Sequence, residues 1–200
     1  MLSVLLFSQP VGLAMAVVWA VGSEGQRPPL PGLVVAAAAG VAGAVARGAL
    51  FAAMARGMIG LVSPIAATEV LVPVIYGLAR GESPKVSQLL GIALAIGGVL
   101  LAVRPAPSSR RRPRRDGLSV LFAAAAALGF GILFVGVSFA AKHNPAWAVC
   151  AVRAGGSSVI VAAALIAGRP FSLRQSDVLP LAALGILDVL GSGLYALATQ

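Results

Sequence analysis

Long apolar stretches alternate with short polar segments along the whole chain. Seven of these stretches approach or exceed the roughly 20 mostly apolar residues that a membrane-spanning helix needs. They cover residues 1–23, 31–55, 57–79, 86–103, 117–141, 145–167 and 178–200. The connecting segments are rich in charge, proline and glycine, which is typical of turns. The pattern predicts an all-α, polytopic membrane helix bundle with about seven transmembrane helices, in which short connections make sequence neighbours antiparallel.

The composition excludes an ordinary water-soluble domain. Hydrophobic residues make up 59% of the chain and charged residues only 10%, whereas charged residues form about a quarter of a typical soluble domain. The chain has one cysteine, Cys150, and one histidine, His143. An internal disulfide is therefore excluded, and few side chains remain for metal ligation. We expect no metal and no cofactor.

Basic residues outnumber acidic residues by 15 to 6, and six of the arginines lie between residues 104 and 115. Segment 104–116 also contains three prolines, so it is predicted to be a linker between residues 1–103 and residues 117–200. Lysine and arginine collect in cytoplasmic loops and beside anionic lipid. We therefore expect the linker to contact the lipid bilayer, and we expect no nucleic-acid partner.

Small residues recur at steps of four on two of the predicted helices. Such stripes let the backbone of a neighbouring helix approach closely. We interpret them as packing faces. The stripes are Gly40, Ala44, Gly48 and Ala52, and Ala123, Ala127 and Gly131.

Four ionisable residues interrupt the apolar stretches, namely Arg47, Glu69, Arg153 and Asp188. A charge at the centre of a membrane helix costs about 2.5–3.5 kcal/mol on insertion scales, so each is a candidate for function. Arg47 is expected either to neutralise an anionic substrate or to extend to the membrane edge or pair with an acid. Arg153 lies close to the start of its stretch, and we expect its side chain to reach the interface.

The two acids have polar or small neighbours. Glu69 follows Ser63 and Thr68, and the nearby prolines free backbone carbonyl groups that a substrate or water can use where the face lines a cavity. This favours a pathway or proton-coupling role, and the alternatives are pairing with Arg47 or a place in a wet crevice. Asp188 precedes a small and polar segment that ends at Tyr195, which suggests a cavity wall. We expect both acids to face a common water-accessible interior and not lipid.

The chain repeats weakly when it is shifted by 144 residues, which places residues 50–52 on residues 194–196. Transporters are often built from two inverted halves, so the repeat is consistent with a transporter.

Three segments of the chain resemble the EamA domain of the drug/metabolite transporter superfamily, although Ser83 stands where that family usually has a basic residue. They are ALFAAMARGMIGLVSPI at 49–65, PVIYGLARGE at 73–82 and QLLGIALAIGGVLL at 88–101.

The resemblance implies ten helices in two inverted five-helix EamA repeats, of which this chain supplies helices two to eight. Residues 1–103 then form the first repeat without its first helix, and residues 117–200 form the second repeat without its last two. The implied function is secondary transport, by alternating access, of small organic metabolites or drugs across the cytoplasmic membrane, with a proton or another ion as the candidate coupling ion. The expected substrate pathway contains Glu69, Asp188, Arg47, Thr68, Ser63 and Tyr195.

Two other classes of function stay open at this point. Without three helices of the family pattern, the chain is expected to insert without transporting by itself, so a non-transporting remnant or a membrane assembly subunit is the main alternative. A membrane-embedded enzyme is less favoured. Enzyme chemistry needs a nucleophile with a base, or clustered histidines and carboxylates, and one histidine with two separated acids does not supply them.

Overall fold

The computed structural model describes residues 2–23, 27–57, 59–83, 86–102, 117–168 and 178–198, and within these ranges it contains helices and no strand. The all-α prediction is confirmed. The basic linker and the loop at 169–177 lie outside the described residues. The α-helices are α1 (Leu2–Gly22), α2 (Leu30–Arg56), α3 (Ile59–Ala66), α4 (Leu71–Ala79), α5 (Val86–Ala102), α6 (Gly117–Ala141), α7 (Pro145–Ala167) and α8 (Val178–Ala198), with a 3-10 helix at Ala67–Val70 between α3 and α4.

Four of the described helical segments are long and apolar enough to cross a membrane. Three shorter apolar helical segments, Gln9–Gly22, Gln88–Gly98 and Gly185–Ala198, accompany them. The membrane character of the chain is therefore confirmed, and the number of seven spans stays a prediction. The four long segments are Leu30–Arg56, Gly60–Ala79, Gly117–Ala141 and Pro145–Ile166.

The chain divides into two compact units. The first contains Met1–Ala44 and Leu133–Gln200, and the second contains Val45–Ile132. These units group residues by packing, so the predicted boundary between two sequence repeats at segment 104–116 stays a prediction.

In the first unit, α1, α7 and α8 pack against one another. Small side chains form much of the buried core, including Ala16, Ala148 and Ala196. Gly40 of α2 approaches the carbonyl group of Val152 on α7 so closely that an added Cβ atom would overlap with it. Glycine and alanine therefore set the spacing of these helices, as the sequence stripes predicted for Gly40.

In the second unit, the span between Gly60 and Ala79 is a broken helix. Pro64 and Pro73 lie inside α3 and α4, and proline removes a backbone donor from the helix ladder. The 3-10 turn at Ala67–Val70 joins the two pieces. Glu69 therefore lies at an irregular part of the helix, where the backbone is less uniformly hydrogen-bonded.

Candidate functional site

The start of α7 determines where its one arginine lies. Asn144 caps the helix, because its side-chain oxygen accepts hydrogen bonds from the backbone N–H groups of Ala146 and Trp147, and Pro145 occupies the first helical turn, where proline is well tolerated. This start places Arg153 two turns into α7. The residue is only 5% exposed.

Arg153 forms an ion pair inside the first unit. Its Nη1 atom lies 2.5 Å from Oδ2 of Asp188 on α8, and Nη2 donates a hydrogen bond of 3.1 Å to Oγ of Ser192. The Ser192 hydroxyl in turn donates to the backbone carbonyl of Asp188 at 2.7 Å. The expectation that Arg153 extends to the membrane interface is therefore wrong. The physical reason is that a carboxylate and a hydroxyl on the neighbouring helix satisfy the guanidinium within the unit.

A glycine on α1 lies against this ion pair. A Cβ atom added at Gly12 would lie 3.7 Å from Nη1 of Arg153 and 3.3 Å from Cγ2 of Val189. The pair is therefore covered on one side by the backbone of α1. The two partners differ in access, since the Asp188 side chain is 43% exposed whereas Arg153 is almost fully buried.

Three buried polar atoms in α1 and α7 have no hydrogen-bond partner among the described residues. They are Oε1 of Gln9, Nε of Arg153 and Oγ of Ser157. Gln9 precedes Gly12 by one turn of α1, and Ser157 follows Arg153 by one turn of α7. A buried polar group without a partner costs about 1–3 kcal/mol, so native proteins keep few of them without a functional or structural reason.

Tyr195, which the sequence placed in the substrate pathway, lies on α8 two turns after Asp188. Its hydroxyl donates a hydrogen bond of 3.3 Å to the backbone carbonyl of Phe134 on α6. The two rings pack with centroids 4.8 Å apart. Tyr195 thus connects α8 to α6 within the first unit, and its pathway role stays a prediction.

The other predicted pathway residues belong to the second unit. Arg47 is half-buried on α2, Ser63 is exposed on α3, and Thr68 and Glu69 are half-buried in the 3-10 turn. The Thr68 hydroxyl donates a hydrogen bond of 2.7 Å to the backbone carbonyl of Ile65, one turn earlier in the same helical segment. Of the six predicted residues, the ion pair contains only Asp188.

Arg153 is the residue that sequence reasoning assigned to the wrong environment. The signal that would have found it is charge pairing between neighbouring apolar stretches. An isolated charge in such a stretch is costly, and an opposite charge at a similar depth on the next helix relieves that cost. Arg153 and Asp188 are the two charges of the last two apolar stretches.

Chemically, the site is an anion–cation pair with one exposed partner. The described residues contain no group of three histidine, cysteine, aspartate or glutamate side chains that could hold a metal ion. The ion pair can be broken when a proton binds to the Asp188 carboxylate or when a charged solute competes with one of the two partners.

Comparison of the chain with protein-family models finds no match. Comparison with curated proteins and with solved structures finds none either. Function is therefore inferred from the sequence pattern and from the geometry of the Arg153–Asp188 ion pair.

Proposed function

We propose that the chain is a multi-pass secondary transporter of small organic metabolites or drugs in the cytoplasmic membrane, with about seven transmembrane helices and alternating access. The observation that carries this proposal is the Arg153–Asp188–Ser192 cluster on apolar helices. Ionisable groups inside membrane segments commonly mark substrate or ion pathways. The resemblance of residues 49–101 to the EamA domain supports the same class of function.

The cost of burying the Arg153 guanidinium favours a functional reason for keeping the ion pair. Replacing a buried ion pair by apolar residues of similar volume is often neutral or stabilising, so such a pair is weak evidence for a stabilising role. The neighbouring core consists largely of alanine and valine side chains, which pack the same helices without any charge. An ion pair in this position is suited to breaking and re-forming during transport.

The unequal exposure of the two partners suggests how the change occurs. A proton or a cationic solute can reach Asp188, which is 43% exposed, while Arg153 stays buried. Neutralising or occupying the carboxylate weakens its bond to Nη1 and leaves Arg153 held by Ser192. The contact between α7 and α8 then differs between the two states, which is the differential interaction that a two-state transporter requires.

The test is a double-mutant cycle with two readouts, on the chain purified and reconstituted in liposomes. Uptake is measured with a panel of amino acids, amines and drugs, and stability is measured by thermal unfolding in detergent. The variants are Arg153→Gln, Asp188→Asn and the double variant, with Arg80→Gln as the control because Arg80 is exposed and stacks on Tyr76 at 5.1 Å.

We expect Asp188→Asn to destabilise by about 1–3 kcal/mol, because it removes the counter-charge of the buried Arg153 while the bond to Ser192 stays. Arg153→Gln is expected to cost less, since Asp188 is partly exposed. The double variant should recover most of the stability and no uptake. Recovery of uptake together with stability would overturn the proposal. Uptake that is absent from the unmodified chain, as the lack of three helices of the EamA pattern predicts, would also overturn it and would favour the non-transporting alternative.

A further inference from the structure

A cavity of about 590 Å³ lies between α4 and α5 in the second unit, apart from the ion pair. Its volume is within the roughly 300–1,000 Å³ that ligand pockets usually have. We call it the α4–α5 slot. It is lined by Val70, Leu71, Pro73, Val74, Gly77, Leu78, Glu82, Ser83, Gln88, Gly91 and Ile92.

The lining of the slot is mostly apolar. Val70, Val74 and Leu78 recur at steps of four along one side of α4 and its preceding turn, which corresponds to about 12 Å at 1.5 Å per residue. Gly91 and Ile92 form the opposite wall on α5. An apolar lining of this length fits an alkyl chain better than a compact solute.

Polar side chains gather at the end of the slot where α4 stops. Gly81 has a positive φ of 81°, which turns the chain after α4 and is readily adopted by glycine. Glu82 follows this turn, and its Oε2 atom would lie 2.8 Å from a Cβ atom added at Gly77. The carboxylate thus lies over the last turn of α4, beside Ser83 and Gln88.

The acidic side chain at this end is that of Glu82, and Lys85, which follows in the sequence, lies outside the described residues. Among the described residues, the Glu82 carboxylate forms no ion pair, and the nearby guanidinium of Arg80 stacks on the Tyr76 ring at 5.1 Å. A ligand for the slot therefore combines an apolar chain with a cationic group. Since the polar end follows the candidate span Gly60–Ala79, we expect it at the depth where lipid head groups lie.

We propose that the α4–α5 slot binds a phospholipid with a primary ammonium head group, of the ethanolamine type. One acyl chain occupies the apolar slot, and the ammonium group donates hydrogen bonds to the Glu82 carboxylate. The Ser83 hydroxyl and the Gln88 amide are groups of the kind that donate to phosphate or ester oxygens. This site does not depend on the proposed transport function.

The test is native mass spectrometry of the purified chain with equal amounts of ethanolamine, choline and glycerol phospholipids that carry the same acyl chains. The choline lipid keeps the positive charge and removes the N–H donors. We expect about two- to fivefold more ethanolamine lipid bound than either of the others, as a partly exposed charge contact provides. Glu82→Gln should abolish this preference.

Two glycine variants test the location of the acyl chain. Gly91 lines the slot, and nothing lies within 4 Å of a Cβ atom added there, so Gly91→Leu fills the space without a backbone clash. Gly98 on the same helix is equally open and does not line the slot, so Gly98→Leu is the matched control. Lipid binding should fall several-fold in Gly91→Leu and be unchanged in Gly98→Leu.

Three results would overturn the proposal. They are equal binding of the three lipids, an ethanolamine preference that survives Glu82→Gln, and lipid binding that survives Gly91→Leu. Tighter binding of a soluble alkylamine than of the ethanolamine lipid would also overturn it and assign the slot to a soluble cation. Transport by the chain is not measured in this experiment, so its outcome is separate from that of the uptake assay.

Discussion

At the scale of single residues, the charges within the apolar helices differ in how their neighbours satisfy them. Arg153 has two polar partners on α8. Glu69 is half-buried in the 3-10 turn, and no described side chain forms a hydrogen bond or an ion pair with its carboxylate. A membrane-embedded carboxylate in this state needs water or a proton to be stable. Glu69 therefore stays a candidate for the pathway.

The first prediction at this scale compares two glutamates of the second unit. Glu69→Gln is expected to reduce uptake in liposomes by at least about tenfold if the carboxylate takes part in proton or solute movement, since polar groups at this depth are costly to retain without use. Glu82→Gln is expected to reduce uptake less, because Glu82 is exposed beyond the end of α4. Initial uptake rates at equal protein content provide the measurement.

Thermal unfolding of both variants shows whether each is folded. An equal or smaller loss of uptake in Glu69→Gln than in Glu82→Gln would remove Glu69 from the pathway. A loss that only accompanies unfolding would assign Glu69 a structural role.

The sequence could identify the acids of the candidate site and could not identify the partner of Asp188. Asp188 stands out in the sequence because an acid in an apolar stretch is costly. The environment of Arg153 depends on which side of α7 contacts α8. The position of Arg153 along its apolar stretch does not show which side that is. The ion pair also lies against Gly12, where an added Cβ atom would be 3.7 Å from Nη1 of Arg153. In the sequence, a single glycine within an apolar stretch is equally consistent with simple helix packing.

At the scale of helices, glycine determines how closely α2 and α7 approach. An added Cβ atom at Gly40 would overlap with the carbonyl of Val152, and one at Gly155 would overlap with the backbone of Ala37. Gly48 belongs to the same sequence stripe as Gly40, yet nothing lies within 4 Å of a Cβ atom added there. The spacing of four residues between the small side chains predicts where two helices can approach closely. The crossing angle of α2 and α7 determines how far along the stripe the close contact continues.

This difference predicts that glycine-to-alanine substitution changes the free energy of unfolding in opposite directions at Gly40 and Gly48. Gly40→Ala is expected to lower the free energy of unfolding by about 1–3 kcal/mol, because the added methyl group forces the backbones of α2 and α7 apart. Gly48→Ala is expected to raise it by up to about 1 kcal/mol, since alanine favours the helix and meets no neighbour. Denaturant unfolding in detergent, followed by tryptophan fluorescence, measures both.

Alanine has a higher helix propensity than glycine at both positions. Gly48→Ala is therefore the matched control, because it measures this gain without a close helix contact. Two variants of equal stability would contradict the close crossing of α2 and α7. A gain in stability for Gly40→Ala would contradict it as well.

At the scale of the whole molecule, the arrangement of spans across the membrane sets the side on which each loop lies. If the apolar stretches alternate across the bilayer, one side receives nine basic residues and the other receives four. The side with more basic residues contains the linker, and its arginines are Arg56, the six between 104 and 115, Arg169 and Arg174. The positive-inside rule therefore places the linker in the cytoplasm. The EamA pattern that residues 49–101 resemble, with ten helices and both termini in the cytoplasm, would place the linker outside.

We expect the charge bias to decide the orientation of this chain. The bias is concentrated within a few residues of the ends of apolar stretches, where it acts most strongly. Single cysteines at Ser108 and at His143, each in a Cys150→Ala background, report the two sides. A membrane-impermeant maleimide should label position 143 in intact cells and should label position 108 only after permeabilisation. Labelling of position 108 in intact cells would show that the linker is outside, and that the order of helices in the family pattern outweighs the arginines of the linker.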